Sequence, residues 1–194
     1  MERSFLFIAL LSLTFASQAQ ALDITANSQN LSVTIEGPSW IEDAETSIQN
    51  GVAGHGNPVS ITEFIPPNES FDSWTKLFAV MIEENIPLSL EDYTGQQVGR
   101  FLGACDMAAN QVYHFDSADH YSLFIAPCGK YHASPEHGEI AIFFLTRVDD
   151  HLIKIYQHFR GPAFSAADLA AWPATQQELD SFLARIRGVR VVRR

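Results

Sequence analysis

Two pairs of histidines have the clearest chemical potential in the chain. His114 and His120 flank Phe115-Asp116-Ser117-Ala118-Asp119, and His132 and His137 enclose Ala133-Ser134-Pro135-Glu136. Imidazole mixed with carboxylate is a donor set that suits zinc or copper. If the two loops lie side by side, four imidazoles converge with Asp116, Asp119 and Glu136, and the chain is a metal-binding or metal-dependent protein. The spacing does not demand this, because His132-x-x-x-Glu136-His137 is one residue longer than the inverted zincin signature and contains Pro135. The competing reading is a set of solvated loop histidines that gain charge as pH falls through about 6.5.

Other chemistries leave no signature. There is no Gly-x-Ser-x-Gly elbow for a nucleophilic serine. The carboxylate pairs Glu83-Glu84, Glu91-Asp92 and Asp149-Asp150 are neighbours in sequence and read as solvated faces. Residues 51–56 are glycine-rich but lack the lysine and following helix of a nucleotide site. No catalytic residue and no cofactor is assigned, and the expectation leans towards a protein that is not an enzyme.

Cys105 and Cys128 are the two cysteines of the chain. Their chemistry depends on compartment, and the N-terminus speaks to that. Arg3 sits in a short polar start, an apolar stretch covers residues 5–15, and Ala19-Gln20-Ala21 supplies a small-x-small cleavage pattern. This is a cleavable signal peptide over residues 1–21, cut after Ala21, followed by one domain over residues 22–194. The apolar run is too interrupted to serve as an anchor of about 20 residues. The expected location is therefore periplasmic or extracellular, with no stable membrane insertion after cleavage. An oxidising compartment favours a Cys105–Cys128 disulfide, worth roughly 3 to 4 kcal/mol in the chain-entropy model. Free thiols in a packed core, or Cys105 as a nucleophile, are the alternatives.

The net charge is −11. Such a body repels nucleic-acid phosphates and anionic lipid heads, so no nucleic-acid partner is expected. Arg185, Arg187, Arg190, Arg193 and Arg194 crowd the C-terminus, where they are expected to complement a helix dipole and solvate an end.

The elements that must position these groups follow from periodicity. Residues 22–35 alternate as a strand that Gly37-Pro38 ends, and Val59, Ile61, Phe64 and Ile65 form a second strand that Pro66-Pro67 terminates. Ser70 looks like an N-cap, with Trp74, Leu77, Phe78 and Met81 at i, i+3, i+4 and i+7 of a first helix. Ser89 and Asp92 resemble a capping box for a second helix reaching Cys105. Gly95, Gly99 and Gly103 recur along it, which predicts close packing of its bare backbone. Four strands over 111–116, 120–127, 139–148 and 151–160 make a meander turned at Asp149-Asp150. Ser165 and Asp168 open a short helix that Pro173 ends. Thr175 and Glu178 cap the final helix, with Leu179, Phe182, Leu183 and Ile186 on its apolar stripe and Gly188 as its stop.

The expected fold class is α+β, a mostly antiparallel sheet flanked by helices in the order ββααββββα. That order, with the strand-turn-helix entry Thr62-Glu63-Phe64-Ile65-Pro66-Pro67-Asn68-Glu69-Ser70-Phe71-Asp72-Ser73-Trp74, resembles small secreted bacterial proteins with a PsbP/Mog1-like α/β/α sandwich. The resemblance implies a binding or assembly module without a shared catalytic residue set, with Trp74 in the core and Glu69 at the helix entry. The leading functional expectation is a non-catalytic periplasmic or secreted binding or assembly module for an unidentified protein or small ligand of the envelope. The alternatives are the metal-dependent reading and an inhibitor or immunity-type protein.

Overall fold

The computed structural model describes residues 22–54, 56–106, 114–116 and 121–194, the segment 114–116 by its backbone alone. The expected signal peptide and His120 lie outside these residues. Two antiparallel sheets make the frame. The smaller has the order β1-β2-β10, from β1 (Asp23–Asn27), β2 (Leu31–Glu36) and β10 (Arg190–Arg193). The larger runs β3-β4-β5-β9-β8-β7-β6, from β3 (Glu45–Val52), β4 (Pro58–Ile65), β5 (Lys76–Glu83), β6 (His114–Asp116), β7 (Tyr121–Cys128), β8 (His137–Val148) and β9 (His151–Pro162). Among the described residues there are two α-helices, α1 (Leu90–Gly103) and α2 (Gln176–Ile186). No helix among them is long and apolar enough to cross a membrane.

This overturns the α+β order ββααββββα. The chain is mostly β, and the first expected helix is the central strand β5. The reason is a periodicity that serves both states. Residues 77–82, Leu-Phe-Ala-Val-Met-Ile, are apolar without a break, and a short apolar run carries no period that separates helix from strand. Non-local pairing decides: β5 bonds to β4 on one side and β9 on the other. Its run is then buried on both faces, as a central strand requires. The entry at Thr62–Trp74 becomes strand, turn, strand. In that turn Glu69 accepts from Thr75 N–H at 2.7 Å and from Thr75 Oγ1–H at 2.6 Å.

Three further expectations change. Residues 22–35 form a hairpin of two strands instead of one. The expected helix after Ser165 is a 3-10 turn, Leu169–Ala171, capped by Asp168, which accepts from Ala170 N–H. Of the C-terminal arginines, Arg185 and Arg187 sit at the end of α2 as expected, whereas Arg190 and Arg193 belong to a strand, where Arg190 pairs with Asp23 at 2.6 Å and Arg193 with Asp149 at 2.5 Å. The capping signals at the two long helices hold. Ser89 Oγ accepts from Asp92 N–H, and Thr175 with Glu178 forms the full reciprocal box.

The large sheet has a core on each face. Phe78, Val80, Ile82, Ile140, Ile142, Ile153, Ile155 and Phe159 face the small sheet and α2, meeting Leu31, Val33, Ile35 and Phe182. On the opposite face Leu77, Ala79, Met81, Phe124, Ala126, Ala141, Phe143 and Tyr156 meet Tyr93 and Phe101 of α1. Cys105 and Cys128 form the expected disulfide, with 5.5 Å between Cα atoms, tying the end of α1 to the end of β7.

Candidate functional site

Strand β9 places four polar side chains on the α1 face at alternate positions: Lys154, Tyr156, His158 and Arg160. The intervening Ile155 and Phe159 point into the other core. Such a row is a necessary product of strand geometry, because residues i, i+2 and i+4 share a face. Register then sets the neighbours. Tyr156 lies between Ala79 of β5 and Phe143 of β8, and His158 lies between Leu77 and Ala141. The small Ala79 and Ala141 leave room above them for the larger side chains. Glu139 is directly opposite Arg160.

The resulting groove has a volume of about 620 Å³ and is lined by Glu63, Phe71, Trp74, Tyr131, Tyr156, His158 and Arg160 among others. Glu139 is 2% exposed and is the hub of its charge network. Its Oε1 bonds His158 Nδ1 and its Oε2 lies 3.5 Å from the Arg160 guanidinium. A carboxylate this deep is tolerable only with such partners. Burial, with Glu139 alongside, pushes the Tyr131 hydroxyl above the ordinary phenol range and keeps it protonated. On the far wall Glu63 accepts from Tyr156 at 3.3 Å and from Gln49 at 3.1 Å. Burial, reinforced by Glu63, raises the Tyr156 hydroxyl as well. The Arg160 guanidinium stacks 3.7 Å from the Trp74 ring centroid. This stacking fixes the planar fork of Arg160, whose Nε and one terminal nitrogen face Glu139.

His158 is enclosed by rings. The centroids of Tyr156, Phe143, Phe101 and Trp74 lie 5.1, 5.3, 6.1 and 6.3 Å from its own. Its Nε2 is closed to solvent and has no hydrogen-bond partner among the described residues. Further along β9, Lys154 Nζ donates to Gln97 at 3.1 Å and sits 4.9 Å from the Tyr156 ring centroid. Burial pushes its amine down to about 8. Glu83, 2% exposed, accepts from Tyr93 at 3.1 Å.

The histidine loops give a different picture from the expected metal centre. His132 Nδ1 pairs with Asp106 at 2.6 Å, and His137 Nε2 pairs with Glu136 at 3.5 Å. Among the described residues no group of three or more His, Cys, Asp or Glu side chains is placed to hold a metal ion. His114 is described only as backbone in β6, so the convergence of all four histidines falls outside what the structure describes. The 129–138 loop instead contributes Tyr131 to the groove.

Sequence reasoning missed Glu139, His158, Arg160, Lys154, Tyr156 and Glu63, and assigned Trp74 to a helix. A signal existed. Residues 154–160 read Lys-Ile-Tyr-Gln-His-Phe-Arg, with a polar side chain at every second position of the strand expected over residues 151–160.

Comparison with family models, with curated proteins and with solved structures finds no match.

Proposed function

We propose that this chain is an exported, non-catalytic binding module that seats a small polar ligand in the groove between Arg160 and Glu63. The observation that carries the reading is the state of His158. A general base must present an open nitrogen within reach of the proton it abstracts. His158 spends Nδ1 on Glu139 and holds Nε2 closed among four rings. Arg160 and Glu63 stand on opposite walls with partial exposure, and Phe71, 38% exposed, adds an apolar surface beside Trp74. The complementary ligand carries an acceptor towards Arg160, a donor towards Glu63 and an apolar ring or chain between them. The N-terminal leader pattern and the Cys105–Cys128 bridge support export to an oxidising compartment.

The test is thermal denaturation of the exported chain against a panel of free amino acids, small carboxylates and monosaccharides. A ligand at a hundredfold excess over its Kd adds about 2.7 kcal/mol, which raises Tm by about 5 to 10 °C. Arg160→Ala and Glu63→Gln should each abolish the shift, while Ile48→Lys, whose side chain lies on the face of β3 opposite to Ser47 and Gln49, should keep it. Hydrolytic turnover that disappears in His158→Gln would overturn the reading.

A further inference from the structure

One edge of the large sheet is β3, and among the described residues it lacks the usual defences against pairing. It runs Glu-Thr-Ser-Ile-Gln-Asn-Gly-Val and pairs with β4 over all eight residues without a bulge. It contains neither proline nor lysine. Natural edge strands are normally blunted by such residues, by bulges or by a covering segment. Its only charge is Glu45, so residues 46–52 form a neutral strip on a chain of net charge −11. Molecules of like charge can approach most closely along such a strip.

The backbone is aligned for a partner. Ala53 N–H donates to the Asn57 carbonyl at 2.8 Å, which turns the odd-numbered residues of β3 towards β4. Pro58, which has no N–H, lies opposite Val52, where the alternation needs no ladder bond. Thr46, Ile48, Asn50 and Val52 therefore point their N–H and C=O groups outward. Two of these four carry the most exposed large hydrophobic side chains among the described residues, Ile48 at 67% and Val52 at 72%.

We infer that two copies of the chain pair through β3, antiparallel and two-fold, centred on Asn50. A two-fold axis perpendicular to the sheet preserves its faces only if even residues oppose even residues, and these are the residues with outward main-chain groups. Centring on Asn50 sets Ile48 against Val52 of the second copy, twice, and so covers both exposed aliphatic side chains with apolar cross-strand partners. Centring on Gln49 would oppose Ile48 to Asn50 and Val52 to Thr46. Centring on Ile48 would leave Val52 without an opposite number within the strand. The Asn50 side chain does not obstruct the pairing, since its Oδ1 is held by Ser60 Oγ–H at 2.9 Å. Glu45 and its counterpart end ten residues out of register, about 33 Å apart. One strand edge buries an area near the low end for specific interfaces, so the dimer depends on concentration.

Sedimentation velocity of the exported chain from about 1 μM to about 1 mM reads the equilibrium directly. The dimer fraction should rise across this range. Ile48→Lys and Val52→Lys should each weaken dimerisation about tenfold or more, since each substitution acts at two symmetric pairs. Ile48→Pro removes an outward N–H without removing a β4 ladder bond, so it should abolish the dimer; Ile48→Lys keeps the question open to refutation should that variant not fold. A chain that stays monomeric at about 1 mM overturns the inference and leaves the edge to an extended segment of another protein. A dimer insensitive to both lysine variants overturns it equally.

Discussion

Replacing Gly95 and Gly99 by alanine should stabilise the protein, and the expected size can be worked from the helix itself. Both residues are interior to the fourteen-residue α1, where glycine costs about 0.8 to 1 kcal/mol relative to alanine through backbone entropy. The sequence suggests that close packing compensates for this cost. The structure shows otherwise: among the described residues, a Cβ built at Gly95, Gly99 or Gly103 meets no heavy atom within 4 Å. None of the three has a positive φ, so a side chain adds no strain. The double variant Gly95→Ala/Gly99→Ala should therefore gain about 1.5 to 2 kcal/mol, or about 3 to 8 °C in Tm. Gly103 is the last residue of α1 and should contribute less. Urea denaturation with the disulfide intact measures this as a rise in midpoint at constant slope. A stability equal to or below that of the parent would refute the reasoning, because the bare backbone would then have to meet something in the folded protein.

Two other perturbations probe the α1 face. Lys154 titrates at about 8 when folded against an ordinary 10.5, because burial disfavours its charge. Between those values the unfolded chain binds more protons, so stability rises with pH, by about 2 kcal/mol from about pH 7.5 to about 9.5. Above about pH 10 the trend reverses, since buried Tyr93, Tyr131 and Tyr156 hold protons that the unfolded chain releases. Denaturation across that pH range checks both limbs, and Lys154→Met should flatten the rise. An equal rise in that variant would refute the assignment to Lys154. The paired change Cys105→Ala/Cys128→Ala opens a link across 23 positions and should cost about 3 kcal/mol. Hydrogen exchange should then accelerate first in α1, which the bridge fastens to β7; uniform acceleration would speak against this local role.

What the sequence could disclose depended on how local the cause was. The Thr175–Glu178 cap and the turn at Asp149 were readable because three or four residues contain the whole interaction. The β5 segment was not, since its apolar run fits a helix face and a doubly buried strand equally well, and only its pairing with β4 and β9 distinguishes them. Strand β3 gave no signal, because an exposed edge needs no alternation of apolar residues. The openness around the α1 glycines is illegible for a related reason: a sequence shows that a backbone is bare, but not what lies against it. His132 and His137 are neighbours in a loop, yet His137 pairs with the adjacent Glu136 while His132 reaches Asp106, just past the end of α1. Glu139 and His158, nineteen positions apart, are the pair that the fold brings together.

That pairing was nevertheless implied by two readable features taken together. Asp149, at φ 55°, occupies the left-handed conformation that a two-residue hairpin turn needs, and the turn sets Val148 opposite His151. Counting back from it, Arg160 falls opposite Glu139 and His158 opposite Ala141, with the Glu139–His158 bond running diagonally between them. The same count keeps Lys154, Tyr156, His158 and Arg160 on the face that α1 covers. A slip of one residue would carry the β9 row to the other face, burying four polar side chains against Leu31, Val33 and Phe182 and exposing Ile155 and Phe159 to the groove. The register of the candidate site is thus fixed about 30 Å away, at a turn nine residues from Glu139 along a ladder rising about 3.3 Å per residue. Two apolar cores of opposite parity, one on each side of β8 and β9, hold that register once the turn has set it.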